Sequence, residues 1–271
     1  MPSEGKDSQS LQRALTLLSC FSFEKPEWGV TELALKLNEH KSVIHRILTT
    51  LLNAEFLRQD PVTKKYRLGL KFFELGMIAA EDMQLRKVAY PIMVDLHEKT
   101  GETVLLLVAE GRECLCIDKV QSQEGIQCTS RIGKRTPLHV GFSKALLAYL
   151  PEPKVKETVM GGLQKFTDRT VTDPAILLQQ LDEIRKNGYV ITCGEMDEGS
   201  MCVGVPIKGY SGFVVGALSV VGPEFRMRPK ISNTLALALQ AAQTISRYMG
   251  YNGDVSDKDG DAVQIININT R

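Results

Sequence analysis

Apolar residues recur at Ile44, Ile47, Leu48 and Leu51, the i, i+3, i+4, i+7 spacing of a helix with one buried stripe. Lys41, Ser42, Val43, His45, Arg46, Thr49 and Thr50 occupy its other faces. A shorter stripe of Leu33, Ala34 and Leu37 precedes it, with Thr31 expected as N-cap and Glu32 at the positive end of that helix. Next, Phe56-Leu57-Arg58-Gln59 and Tyr66-Arg67-Leu68 flank Asp60-Pro61-Val62-Thr63-Lys64-Lys65, and the Asp-Pro turn signal predicts a hairpin with two lysines at its tip. Upstream, Leu11, Leu15 and Leu18 predict a helix over 10–21 with Ser10 as N-cap, while residues 1–9 read as disordered. A stripe that fixes the second helix to a small core leaves a basic, hydrogen-bonding surface outside. That is the division of labour of a winged helix-turn-helix, expected over residues 10–68.

Over 69–83, Leu70, Phe73, Met77 and Ala80 predict a linker helix whose apolar face serves either dimerisation or packing against the first helix. Another helix is expected over 85–100, stopped by Thr100-Gly101 and kinked or turned early at Pro91. The pattern then changes. Residues 102–109 and 113–120 read as a strand pair around Glu110-Gly111-Arg112, and 126–132 as a further strand. Helices are expected over 143–150, from Pro151, and over 173–187, the last opened by Asp173-Pro174 and stopped by Gly188. Residues 189–193, 201–207 and 213–221 read as strands. A closing helix over 229–249 carries Ile231, Leu235, Ala238, Ala242 and Ile245 on one side. The order predicts an α+β second domain over 84–250, an antiparallel sheet covered by helices, before a weakly ordered tail at 251–271.

With 271 residues and 43% apolar content the chain can build two packed domains. A net charge of only +1 argues against a basic coat, but seven basic residues face two acidic ones between His40 and Lys71, a local net of +5. The six cysteines show no CxxC spacing, and Cys114 and Cys116 alternate onto one face of a strand, so free thiols and no metal site are expected. No signal peptide and no apolar run approaching 18 residues is present, which points to the cytoplasm and no membrane partner. No GxSxG, HExxH or phosphate loop occurs, and His97 and His139 stand outside any nucleophile motif, so neither catalysis nor a cofactor is expected.

The recognition helix would meet double-stranded DNA through its N-terminal turns, which carry Lys41, Ser42, Val43, His45 and Arg46. Lysine and arginine suit guanine edges or phosphates, serine either, and Val43 a thymine methyl. Thr31 joins this set, and Lys64 and Lys65 at the hairpin tip would lie along the backbone or minor groove. His45 contacts either phosphate or solvent.

The chain resembles the IclR family of bacterial transcriptional regulators over roughly residues 10 to 250. The resemblance is carried by Ser10-Leu11-Gln12-Arg13-Ala14-Leu15, Lys41-Ser42-Val43-Ile44-His45-Arg46-Ile47-Leu48 and Tyr66-Arg67-Leu68-Gly69. Gly133-Lys134-Arg135-Thr136-Pro137-Leu138-His139, Lys144-Ala145-Leu146-Leu147-Ala148, and Gly188-Tyr189 through Gly194-Glu195 and Gly199 to Pro206-Ile207 complete it. It implies a winged helix-turn-helix joined to a GAF-like effector domain. The function implied is a ligand-controlled regulator, a repressor in the first instance, working as a homodimer or homotetramer on a pseudo-palindromic operator. It also implies an effector pocket. There the backbone N–H groups of Gly141, Phe142 and Ser143 would meet a carboxylate at a helix start, with Thr192, Cys202 and Ser219 lining the site and Glu195 nearby. Cys202 and Ser219 read equally as core-facing strand residues. Small hydroxyls and thiols suit a compact organic acid. The family has one more residue than Val140-Gly141-Phe142-Ser143 supplies, and Phe142 stands where a small residue is common. A smaller, more apolar or partly filled pocket follows. Two other classes compete: a sensor or scaffold with only non-specific DNA affinity, and a small enzyme. A specific footprint, association alone, or turnover separates the three.

Overall fold

The computed structural model describes residues 8–81, 84–126 and 130–251; expectations for residues 1–7, 82–83, 127–129 and 252–271, the loose termini, the end of the linker helix and Cys128 among them, lie outside these. The chain divides into two compact units, Met1–Asp82 and Met83–Arg271.

In the first unit, helix α1 (Gln9–Leu18) leads to strand β1 (Glu27–Trp28) and helices α2 (Val30–Leu37) and α3 (Lys41–Asn53). Strands β2 (Leu57–Gln59) and β3 (Tyr66–Leu68) and helix α4 (Leu70–Glu81) complete it. Ile44 and Leu48 of the α3 stripe are buried with Leu17, Trp28, Leu33, Ala34, Leu57 and Tyr66, and Ile47 and Leu51 pack against them half-buried.

Several local expectations are corrected. Helix α1 begins at Gln9, so Ser10 lies inside its first turn rather than capping it. Leu11 and Leu15 stand 60% and 56% exposed while Leu17 is fully buried, because spacing marks an apolar stripe without saying what covers it. Thr31 is the second residue of α2, not its cap. The Gly29 N–H donates at 2.7 Å to Oε2 of Glu32, whose carboxylate reaches back over the helix start. Strand β1, too short to show any alternation, adds a third strand to the wing, Glu27 opposite Arg67 and Trp28 opposite Tyr66, in the order β1-β3-β2. Of the apolar positions expected on α4, Leu70, Phe73 and Met77 are exposed, as is Ile78.

The second unit opens with α5 (Gln84–Thr100) and the hairpin β4 (Thr103–Glu110) and β5 (Glu113–Val120), followed by β6 (Arg135–Pro137). A 3-10 turn (Gly141–Ser143) runs into α6 (Lys144–Leu147), and α7 (Glu152–Met160) and α8 (Pro174–Asn187) follow. Strands β7 (Val190–Cys193), β8 (Ser200–Lys208) and β9 (Val214–Pro223), a short α9 (Glu224–Met227) and α10 (Ile231–Tyr248) close the unit. The six strands form one antiparallel sheet in the order β6-β5-β4-β9-β8-β7. Alternation sends Val104, Leu106, Val203, Val205, Leu218 and Val220 to the side of α5 and α10. Leu105, Leu107, Cys114, Cys116, Cys202, Ala217 and Val221 face α6 and α8 on the other side. Both sheet faces are thus covered, which is why these strands read as near-continuous apolar runs.

Helix α8 has the ends expected: Asp173 accepts from the N–H groups of Ala175 and Ile176, and Gly188 closes it at φ +80°. Helix α5 runs through Pro91 without the early turn, since Pro91 lies on its exposed side and the missing N–H is no buried defect. The strand expected over 126–132 is absent among its described residues. Gly133, at φ +82°, turns the chain so that its N–H and the Lys134 carbonyl bond Cys116, and pairing with β5 starts only at Arg135. The helix expected over 143–150 is shortened to α6. A buried clamp ties the β4 end to α9 and the turn before α10: both oxygens of Glu102 accept from Arg226 at 2.7 Å, and Lys230 stands at 2.8 Å. No helix among the described residues is long and apolar enough to cross a membrane.

Candidate functional site

Two regions collect the chemistry, one in each unit. In the first, burial of Ile44 and Leu48 turns the opposite side of α3 outward, so that Lys41, Ser42, His45 and Arg46 are exposed and Val43 is half-buried. Thr31 is exposed on the first turn of α2. Neither Lys41 nor Arg46 forms an ion pair with a described residue, so both ammonium and guanidinium face outward uncommitted. Thr49 and Thr50 hydroxyls donate back to the carbonyls of His45 and Arg46, which occupies them within the helix.

The wing divides its charge. Asp60 Oδ1 accepts from the N–H groups of Val62 and Thr63, these bonds hold its carboxyl below the usual range, and Lys64 takes a left-handed φ of 57° at the tip. Lys64 is exposed, but Lys65 turns back to Glu27 at 3.4 Å, beside Arg67, which meets the same carboxylate at 2.5 Å. The Arg67 hydrogen bond, aided by Lys65, keeps Glu27 ionised below the ordinary carboxylate range. Two of the basic residues that gave this region its local charge are therefore committed to Glu27. Arg58 is exposed on β2 opposite Arg67 and forms no ion pair with a described residue. Position in the strand, not composition, distinguishes them.

In the second unit a small cavity of about 30 Å³ lies between the β7–β8 end of the sheet and the 3-10 turn before α6. That volume admits a water or two. Gly141, Phe142, Thr192 and Cys202 line it, together with Lys134, Glu195 and Asp197. Gly204 permits the close approach of the turn, since a Cβ there would stand 2.9 Å from the Phe142 carbonyl oxygen. Two of the residues expected in the pocket do not line it. Ser143 is fully buried with its hydroxyl 3.0 Å from the Cys114 thiol, and the Ser219 hydroxyl is buried without a hydrogen-bond partner in β9. The Thr192 hydroxyl lies 2.8 Å from the Cys202 thiol, so these two wall groups satisfy one another.

Of the three N–H groups expected to meet a ligand carboxylate, that of Gly141 is taken by the protein itself and that of Ser143 bonds the Val140 carbonyl, while that of Phe142 has no hydrogen bond with a described residue. Gly141, at φ +60°, donates at 2.9 Å to Oε2 of Glu195, and Oε1 of Glu195 stands 2.6 Å from Nζ of Lys144. Lys144, only 1% exposed, also donates to Gln180 at 2.8 Å. Burying an ammonium and a carboxylate is tolerable only as such a paired, hydrogen-bonded set. The sequence marked Glu195 only as a neighbour and gave no sign of Lys144, because a lysine in a helical string reads as solvent-exposed.

The thiol of Cys193 contacts the Glu224 carboxylate, Arg169 and Arg228, and burial, with Glu224, pushes it above the ordinary thiol value. His97 bonds the Glu102 carbonyl, and His139 bonds the Gln164 carbonyl with burial pushing its imidazole below the ordinary value. Burial raises the thiols of Cys114 and Cys116 to about 11 and about 12, far from a thiolate nucleophile. No group of three potential metal ligands occurs among the described residues.

Comparison with known proteins places these two regions in context. Residues 10–61 match the model of the IclR helix-turn-helix domain, and residues 77–247 that of the bacterial transcriptional regulator IclR C-terminal domain. The chain is 34% identical over 232 residues to the HTH-type transcriptional regulator KdgR of Escherichia coli (strain K12), covering 84% of this chain and 88% of that one. Among solved structures it is similar to the Thermotoga maritima IclR, at 32% identity and a TM-score of 0.71, covering 89% of this chain and 99% of that one. An IclR homologue from Microbacterium hydrocarbonoxydans, complexed with 4-hydroxybenzoate, gives a TM-score of 0.80 at 25% identity over 89% of this chain and 98% of that one.

Proposed function

The chain belongs to the IclR family of bacterial transcriptional regulators, and on that premise we propose how its own residues divide the work. It is a sequence-specific DNA-binding regulator under the control of a small-molecule effector. Helix α3 enters the major groove with Lys41, Ser42, Val43, His45 and Arg46 at the bases and phosphates, while Thr31, Lys64 and Arg58 hold the backbone. The observation that carries this reading is the uncommitted basic face of α3, outward of a stripe that is buried in the small core.

A homodimer or homotetramer presents two such helices to a pseudo-palindromic site, as half-site symmetry requires. The exposed apolar residues of α1 and α4 supply material for that association. The second unit, read as GAF-like, holds a compact organic acid at the cavity by the 3-10 turn, and its occupancy shifts the paired DNA-binding units through α4. Coupling of this kind is reciprocal, so DNA changes effector affinity by the same factor. The regulator acts as a repressor, and no reaction is assigned to either unit.

Binding to the intergenic DNA beside its own gene, followed by fluorescence polarisation across a salt series with unrelated competitor, tests the reading. Nanomolar binding that survives competitor is expected. Weak binding that vanishes with modest salt would reduce the first unit to non-specific charge attraction.

A further inference from the structure

Helices α5 and α10 each give one face to the sheet and leave a second face to one another. They run antiparallel, since Lys230 at the start of α10 donates at 2.6 Å to the carbonyl of Thr100 at the end of α5. Away from the sheet a groove of about 520 Å³ opens between them. Val88, Ile92 and Leu96 of α5 and Leu237 and Ala241 of α10 supply its apolar walls, and Tyr248, 72% exposed, stands at its end. The polar groups along it are already partnered: Lys99 meets Asp95 at 2.7 Å, and the Thr244 hydroxyl donates to the Gln240 carbonyl. The groove thus offers apolar surface and no spare charge to hold a small ion.

The chain itself supplies a segment that fits. Helix α10 ends at Tyr248, and the Tyr251 N–H, donating at 2.9 Å to the Ser246 carbonyl, fixes the exit near the end of the groove. Beyond it the sequence carries Asp254, Asp257, Asp259 and Asp261 against Lys258, then Ala262-Val263-Gln264-Ile265-Ile266-Asn267-Ile268. Lengths agree. From Tyr248 to Leu237 the groove follows α10 for about 16 Å. Val263 to Ile268, extended, covers about 17 Å, and the chain from Tyr251 to Ala262 reaches up to about 36 Å, ample for a reversal. Charge agrees as well. At the exit Lys208 lies over the Tyr251 ring at 5.2 Å and Arg247 is exposed, neither in an ion pair with a described residue. Two cations thus stand where an acidic run leaves the helix.

From this arrangement we infer that residues 263–268 fold back into the α5–α10 groove of their own chain. The apolar run lies along the groove from Tyr248 toward Leu237, and the aspartates pass Arg247 and Lys208. A tether this short holds the segment at an effective concentration on the order of millimolar, which favours its own groove over that of a second copy. The tail thereby covers an apolar face, so that this face takes no part in association between copies. Salt screens the aspartate contacts and loosens the seat.

Cysteine pairs in the full chain test it. Thr244→Cys with Ile265→Cys puts one thiol in the groove and one on the segment. Lys186→Cys on α8, which covers the other sheet face, with the same Ile265→Cys is the control. Oxidised glutathione takes two electrons and two protons from a thiol pair, and peptide mapping identifies the bridge. The groove pair should close at least about tenfold faster than the control, as a disulfide within one chain at every dilution. Equal rates for the two pairs, or a covalent dimer whose yield falls on dilution, would overturn the inference, the second by giving the groove to another copy. An apolar naphthalenesulfonate dye gives a readout free of new cysteines. A chain ended at Tyr251, and the full-length Ile265→Asp/Ile268→Asp variant, should each bind it several-fold more than the wild type. Dye binding unchanged in both would overturn it too. Neither readout depends on the effector or on DNA.

Discussion

Replacing Lys144 by methionine removes the cation paired with Glu195 among the described residues. The two side chains are 1% and 9% exposed, so Lys144→Met leaves a carboxylate with one N–H donor and little water, and deprives the Gln180 carbonyl of its donor. Breaking a buried pair from one side costs about 3–5 kcal/mol, because the survivor remains charged and desolvated. For a unit of this size that corresponds to a fall in melting temperature of about 6–20 °C. The double substitution Lys144→Met with Glu195→Gln should recover most of the loss, since a neutral amide oxygen still accepts from Gly141 and no charge is stranded. Circular dichroism follows the melt of the whole chain. The single tryptophan, Trp28, sits in the core of the first unit and reports that unit separately by fluorescence. A lowered dichroism transition with an unmoved Trp28 transition is expected. A Lys144→Met protein that melts with the wild type, or a double variant no better than the single one, would refute the idea that pairing keeps these charges buried.

Arg46→Ala combined with Lys41→Ala should weaken specific DNA binding by at least about tenfold and lower the slope of log affinity against log salt by about one per lost phosphate contact, which a salt series measures. Lys65→Ala should have the smaller effect on DNA, and Arg58→Ala the larger, because Glu27 engages Lys65 and not Arg58. Burial alone would raise the Glu102 carboxyl, but hydrogen bonds from Arg226 and Lys230 more than offset it and hold the group below the usual range. Its folded value is depressed, so its stabilisation is complete above about pH 5 and drains away as pH falls below about 4, and Glu102→Gln should flatten that acid limb in urea titrations at successive pH values. Phe73→Glu on the exposed face of α4 should shift the mass in sedimentation toward the monomer if that face joins copies of the chain; an unchanged mass would remove α4 from the interface.

How far the sequence could be read differs element by element. Helix α3 and both of its faces were legible because Ile44, Ile47, Leu48 and Leu51 set one period against one small core. The ends of α8 were legible because Asp173-Pro174 and Gly188 each act through local backbone chemistry. Helix α1 was legible from Leu11, Leu15 and Leu18, but not its cap or the burial of Leu17, since spacing does not say what covers a stripe. Strand β1 and the turn at Gly133 were missed because two residues carry no period and a glycine turn is fixed by what it pairs with. The cavity was the least legible. Its Lys144–Glu195 pair joins positions 51 residues apart, and only the fold brings a helical lysine and a loop glutamate to the same buried point.

The proposed regulation depends on base reading by α3 in the major groove. Dimethyl sulfate footprinting of the intergenic DNA, with the wild type and the Lys41→Ala/Arg46→Ala variant at equal occupancy, tests it most directly. Guanine N7 protection is expected in two half-sites about one helical turn apart, lost in the variant while non-specific affinity persists. Protection that survives the variant unchanged, or no localised protection in the wild type, would contradict it.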